Sequence, residues 1–163
     1  MREMKKVLYL HGLESKQGGK KVDYLAKNFI VHAPEVDYDD PFVDFNLFRM
    51  VIDFQPDLII GSSMGGYAAD NLAKANELPA ILFNPAFHSR SFEPLLGNGN
   101  AEEVLPQKPK IVVLGKQDDV IPAEKTKEML EGNENYQIIE KDMGHRTDLN
   151  IFIDVIEKYA YEL

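Results

Sequence analysis

Ser63 stands in the run Gly61-Ser62-Ser63-Met64-Gly65-Gly66, a G-x-S-x-G pattern. A serine hydroxyl becomes a nucleophile only when a neighbouring base takes its proton and a third group orients that base. Downstream, Gly144-His145 offers an imidazole, and Asp118, Asp119 and Asp142 offer carboxylates. The order along the chain is Ser, Asp, His. Upstream, His11-Gly12-Leu13 forms a loop able to aim the Leu13 N–H beside the Met64 N–H, which would give two donors for a developing oxyanion. Together these residues point to acyl transfer through a covalent intermediate. Of the other histidines, His32 ends an apolar run just before Pro34 and reads as structural. His11 belongs to the oxyanion loop and is expected to fix its turn rather than move protons.

These side chains need elements that carry them to one place. Short apolar runs recur at Val7–Leu10, Phe29–Val31, Leu58–Ile60, Ala80–Phe83, Ile111–Leu114 and Gln137–Ile139. Most do not alternate, as befits strands buried on both faces. Helical patterns lie between them. Phe42, Phe45, Phe48 and Val51/Ile52 recur every three to four residues, as do Leu149, Phe152/Ile153, Ile156 and Ala160. Met64 to Asn76 is Ala-rich, and Pro122 precedes a helical pattern from Ala123 to Leu130. The alternation predicts a three-layer α/β fold with a mostly parallel sheet of about six strands and helices on both faces. Leu58-Ile59-Ile60 runs directly into the Ser63 turn and an Ala-rich helix follows, the strand–turn–helix setting such a serine requires. So tight a turn needs small neighbours, which Gly61 and Gly65 supply. The carboxylates and His145 likewise fall just past strand ends, on the edge where Ser63 lies.

The pieces Tyr9-Leu10-His11-Gly12, Gly61-Ser62-Ser63-Met64-Gly65-Gly66-Tyr67 and Ala80-Ile81-Leu82-Phe83-Asn84-Pro85-Ala86, with Gly115…Asp118…Pro122 and Gly144-His145, resemble the α/β-hydrolase superfamily. Within it the chain is most similar to the small, lidless YqiA-type esterase family, over nearly its whole length. The resemblance implies a truncated α/β-hydrolase fold and cleavage of carboxylic esters or thioesters by Ser63, His145 and Asp118. It also selects among the carboxylates, because the family's acid stands three residues after the glycine at the position of Gly115. Asp119 then becomes a turn or solvent residue and Asp142 part of the loop before His145. The chain departs from larger relatives by beginning at the strand that carries the oxyanion loop. Only 55 residues separate Ser63 from Asp118, too few for the usual helical lid.

Substrate contacts are less defined. His88 and Phe87 follow the Ala80–Phe83 strand at the same edge and are candidates to line the site, as are His11, Lys20 and Lys21. Phe83 and Phe92 could also border an acyl pocket but suit a core equally well. The first 27 residues carry seven Lys/Arg against three acids, so Lys16, Lys20 and Lys21, joined by Arg90 or Arg146, could form an anion subsite; a solvated basic turn is the simpler reading. Glu35 to Asp57 gathers seven acids against Arg49 alone and reads as solvated surface.

Composition limits the remaining possibilities. With 163 residues a single domain spanning 1–163 is expected, with at most a minimal cap at 88–110 and a shallow, open pocket. Eighteen Lys/Arg against 27 Asp/Glu give a net charge of −9, which disfavours nucleic acid as a partner. The absence of cysteine excludes disulfides, thiolate metal sites and cysteine nucleophiles. No metal-ligand spacing, dinucleotide fingerprint or phosphate loop is present, so no metal or cofactor is expected. The run Val7-Leu8-Tyr9-Leu10 is too short for a signal segment or membrane span, and a cytoplasmic protein is expected. The implied partner is a small-molecule ester or thioester; oligomeric state is not legible. The same triad would serve a serine peptidase or amidase, and the same fold could instead carry a non-catalytic module that binds a small ligand or signals.

Overall fold

In the computed structural model, which describes residues 3–12, 19–88 and 107–163, six strands form one fully parallel sheet in the order β2-β1-β3-β4-β5-β6. The strands are β1 (Lys6–Leu10), β2 (Ile30–His32), β3 (Leu58–Ser62), β4 (Ala80–Phe83), β5 (Lys110–Gly115) and β6 (Tyr136–Lys141). Five helices connect them among the described residues: α1 (Lys20–Asn28), α2 (Val43–Phe54), α3 (Met64–Asn76), α4 (Ala123–Leu130) and α5 (Leu149–Tyr159). The expected fold class is therefore observed. Differences in the extent of the elements are confined to their ends. Phe29 caps α1 as a buried core residue, and the second strand begins at Ile30.

The period-2 geometry of the strands divides the core. Leu8, Leu10, Ile59 and Leu82 face one way and pack with α2 and α3. Val7, Tyr9, Leu58, Ile60, Ile81 and Phe83 face the other way and pack with Leu25 of α1 and Phe152, Val155 and Ile156 of α5. A sheet covered by helices on both faces needs strands that are apolar throughout, and every residue of β4 and β5 is buried. The edge strands β2 and β6 are half-exposed.

One helix turns a different face from the one its aromatic spacing predicts. Phe42 and Phe45, with Ile52, are exposed, whereas Val43, Leu47 and Val51 are buried. The sequence contains two apolar stripes here, one at three-residue and one at four-residue spacing. The i, i+4, i+8 stripe is the one that meets α3 and the sheet.

Parallel pairing aligns the strand ends. Leu10 pairs with Gly61, Ser62 with Phe83, Phe83 with Val113, and Gly115 with Lys141. Five loops thus leave the sheet along one edge. The chain reverses its direction of strand addition between β1 and β3, which opens a crevice outside the carboxyl ends of those strands.

Candidate active site

The residue after β3 is Ser63. Its φ of 55° and ψ of −118° lie where L-residues are strained, so the surrounding contacts must hold it there. Those contacts are visible at the glycines. A Cβ on Gly61 would run into the Gly65 carbonyl, and one on Gly65 into the carbonyls of Leu10 and His11. On Gly66 it would meet Pro85 Cα at 3.0 Å. The turn, the end of β1 and the loop after β4 are therefore packed backbone to backbone. The Ser63 N–H donates to the Phe83 carbonyl at 2.9 Å, and the Ser63 carbonyl accepts from Ala86 N–H at 2.9 Å. Met64 then opens α3, so its N–H is one of the first-turn donors with no intrahelical acceptor, at the end of the helix dipole that favours negative charge.

The loops after β5 and β6 bring the other two groups. His145 Nε2 lies 3.0 Å from Ser63 Oγ, and His145 Nδ1 lies 2.9 Å from Asp118 Oδ2. The neutral ring suits this chain of contacts: Nδ1–H donates to the carboxylate while Nε2 accepts from the serine hydroxyl. Asp118 is fixed from its other oxygen, where Oδ1 accepts the N–H groups of Val120 and Ile121 at 2.9 and 2.8 Å. Its side chain is fully buried, and that of His145 is 22% exposed. A buried carboxylate, a partly exposed imidazole and a partly exposed serine thus form one chain of contacts. The two rival carboxylates point elsewhere. Asp119 is exposed, and Asp142 is exposed and pairs with Lys116 at 3.5 Å.

The other residues singled out from the sequence behave differently. Leu13, Lys16, Arg90 and Phe92 lie outside the described residues, as does nearly all of the expected cap at 88–110. His11 is enclosed at the end of β1. It is 4% exposed, with Nδ1–H donating to the Gly12 carbonyl at 2.7 Å and Nε2 accepting the Val36 N–H at 2.9 Å. Tyr38 O–H donates to the His11 carbonyl at 2.6 Å, and burial holds the Tyr38 hydroxyl well above the ordinary tyrosine pKa. His11 therefore ties the loop after β1 to the segment 36–38, the turn-fixing role expected of it. Phe87 is buried in the core between the rings of Tyr67 and Tyr136. The His88 ring meets Thr126 of α4, with Nε2 3.4 Å from Oγ1. Phe87 thus packs with the core on the α3 side of the sheet.

Lys20 and Lys21 open α1, Lys20 exposed and Lys21 half-buried with its Nζ 5.7 Å from the Phe152 ring centre. Burial lowers the Lys21 pKa; Asp148 opposes that shift and Arg146 adds to it. These influences set Lys21 beside the loop that carries His145. The acidic stretch is solvated surface: Asp37 and Asp40 accept turn N–H groups, and Asp53 pairs with Arg49 in the open. Among the described residues no cluster of three or more His, Asp or Glu could hold a metal ion, and no helix is long and apolar enough to cross a membrane.

One residue of the site carries no sequence signal of its own. Asn84 appears in the sequence as part of the run Ala80–Ala86, but the fold places it, 1% exposed, where the loops after β3, β5 and β6 meet. The available hint was a polar residue directly after a fully apolar strand and before a proline.

Comparison with known proteins agrees with this architecture. The model of an uncharacterised protein family, UPF0227, matches residues 6–108. Among solved structures, the monoacylglycerol lipase of Paleococcus ferrophilus superposes with a TM-score of 0.73 at 14% identity, covering 97% of this chain and 95% of that one. The mouse alpha/beta hydrolase domain-containing protein 10 gives 0.72 at 14%, covering 99% and 91%. An esterase from Pyrococcus furiosus gives 0.71 at 17%, covering 97% and 80%. At these identities the likeness is one of fold, and the fold is that of the α/β hydrolases.

Proposed function

The chain belongs to the uncharacterised protein family UPF0227, the YqiA-like family that its sequence resembles, and from that premise we propose that it is a serine hydrolase of carboxylic esters or thioesters. The observation that carries this reading is the unbroken chain of contacts from Asp118 through His145 to Ser63 Oγ, at 2.9 and 3.0 Å. A module that only bound a ligand would have no need of a buried carboxylate aimed at an imidazole, nor of a strained serine in front of it.

In the proposed cycle Ser63 Oγ attacks the ester or thioester carbonyl as its proton passes to His145 Nε2. Asp118 holds the imidazole in the required tautomer and stabilises the imidazolium. The oxyanion is bound by the Met64 N–H, with the Leu13 N–H the second donor expected from the sequence; one such donor is worth on the order of 3 kcal/mol in the transition state. Collapse of the tetrahedral intermediate expels the alcohol or thiol, protonated by His145, and leaves Ser63 acylated. Water, deprotonated by His145, then attacks the acyl-enzyme and releases the acid and the free serine. Small or exposed acyl groups are the favoured substrates, since the 55 residues between Ser63 and Asp118 are too few for a helical lid. The proposed reaction needs no metal or cofactor and takes place in the cytoplasm.

A panel of p-nitrophenyl esters from acetate to palmitate, with acyl-CoA thioesters and the matching aryl amides, tests the bond and chain-length assignment. Turnover of short esters or thioesters that disappears in Ser63→Ala is expected. Ser63-dependent cleavage of the amides with none of the esters would make the protein an amidase or peptidase instead.

A further inference from the structure

Asn84 directly follows β4 and stands between the loops that carry Ser63, Asp118 and His145. Its backbone adopts φ 43°, a left-handed conformation that asparagine and glycine accept more readily than other residues. Its side-chain amide is fully used. Oδ1 accepts the Gly115 N–H at 2.7 Å, while Nδ2 donates to the His145 carbonyl at 2.8 Å and the Gly144 carbonyl at 3.3 Å. The first contact reaches the loop leading to Asp118; the second and third reach the backbone of the base itself. The flanking residues hold the nucleophile, because Phe83 and Ala86 each make a backbone hydrogen bond to Ser63.

The acid and base loops also touch one another. A Cβ on Gly115 would lie 2.5 Å from the Gly144 carbonyl oxygen and 2.6 Å from that of Met143, and Gln117 N–H donates to Met143 at 3.1 Å. With no side chain at Gly115 or Gly144 to wedge them, the relative position of the two loops depends on hydrogen bonds, and the Asn84 amide joins both. No other side chain meets all the demands at once. Aspartate has acceptors but no donors for the two carbonyls, glycine has neither, and glutamine is a methylene too long.

We propose that Asn84 is a positioning residue: its amide fixes the Gly144–His145 backbone against Gly115 and so sets the alignment of His145 with Asp118 and Ser63. The consequence for turnover rests on the proposed hydrolase function; the positioning itself does not. Displacement of a reacting group by about 1 Å commonly lowers rates on the order of 100-fold.

Two variants test the proposal. Asn84→Gly keeps the left-handed backbone and removes the amide, and Asn84→Asp keeps the acceptor to Gly115 while replacing the donor with an oxygen that faces two carbonyls. Crystal structures of both are expected to show the His145 Nδ1–Asp118 Oδ2 separation opened beyond hydrogen-bond range, about 3.5 Å. On a short p-nitrophenyl ester, kcat should fall roughly 10- to 100-fold with KM changed less than about threefold. A His145–Asp118 separation that stays at its 2.9 Å value in both variants overturns the proposal, whatever the activity does. If the unmodified protein shows no Ser63-dependent hydrolysis, the functional reading falls, and the crystal structures still decide the role of Asn84.

Discussion

The two oxygens of Asp118 have different partners, and that division explains why this carboxylate and not its neighbour reaches His145. Oδ1 is tied to the N–H groups of Val120 and Ile121, which locks the side chain, and Oδ2 is left for His145. Asp119, one residue on, has the same chemistry but lies in solvent. Spacing from the strand end could not separate the two, because adjacent residues in a turn point in unrelated directions; only the family resemblance did so. Asp118→Asn should lower kcat/KM for a short aryl ester on the order of 10³- to 10⁴-fold, since an amide facing Nδ1 no longer enforces the tautomer that accepts the serine proton. Asp119→Asn should stay within about twofold of the unmodified protein, as surface changes away from the reacting atoms usually do. Comparable losses in both would remove Asp118 from its assigned place. His11 shows the same limit of sequence reasoning. Its place beside a presumed oxyanion loop made it a candidate to touch substrate, whereas its ring is occupied by Gly12 and Val36.

Among the elements, β3 and α3 were legible almost residue by residue, because buried strand, glycine turn and Ala-rich helix each follow from strong local physics. The helix of residues 43–54 was legible in extent but not in orientation. Aromatic residues at 42, 45 and 48 drew the eye, yet the aliphatic stripe Val43, Leu47 and Val51 enters the core. Periodicity identifies a helix with two apolar stripes; it cannot say which stripe the neighbouring layer accepts. Leu47→Ala should therefore cost about 2–5 kcal/mol in urea unfolding through the cavity it leaves. Phe45→Ser, 60% exposed in the folded protein, should change stability by less than about 0.5 kcal/mol. The reverse ranking would mean that the helix packs by its aromatic side. Asn84 was hidden for another reason: its role exists only once β4, β5 and β6 lie side by side, and no local pattern encodes that meeting.

At the scale of the whole molecule, a parallel sheet turns a linear order into a constellation. Ser63, Asp118 and His145 are far apart in sequence, but each follows a strand whose end falls on one edge, so the order of the strands alone brings them together. That much was readable from six apolar runs and the residues after them. The net charge of −9 was also informative, but its distribution was more so: the acids of the stretch 35–57 lie on solvated surface, while Lys21 and Arg146 gather near the loop of His145. Substrate contacts were the least legible part. Phe87 and His88 follow β4 at the expected edge, where Phe87 packs against Tyr136 and His88 against Thr126.

The central claim is that Ser63 is a nucleophile made reactive by His145 and Asp118. Intact-mass spectrometry after treatment with a fluorophosphonate probe tests it most directly. The account predicts one adduct per chain, mapped to the peptide containing Ser63, absent from Ser63→Ala and formed far more slowly in His145→Ala. An unmodified protein that takes up no probe, or a Ser63→Ala variant that is labelled as readily, would contradict it.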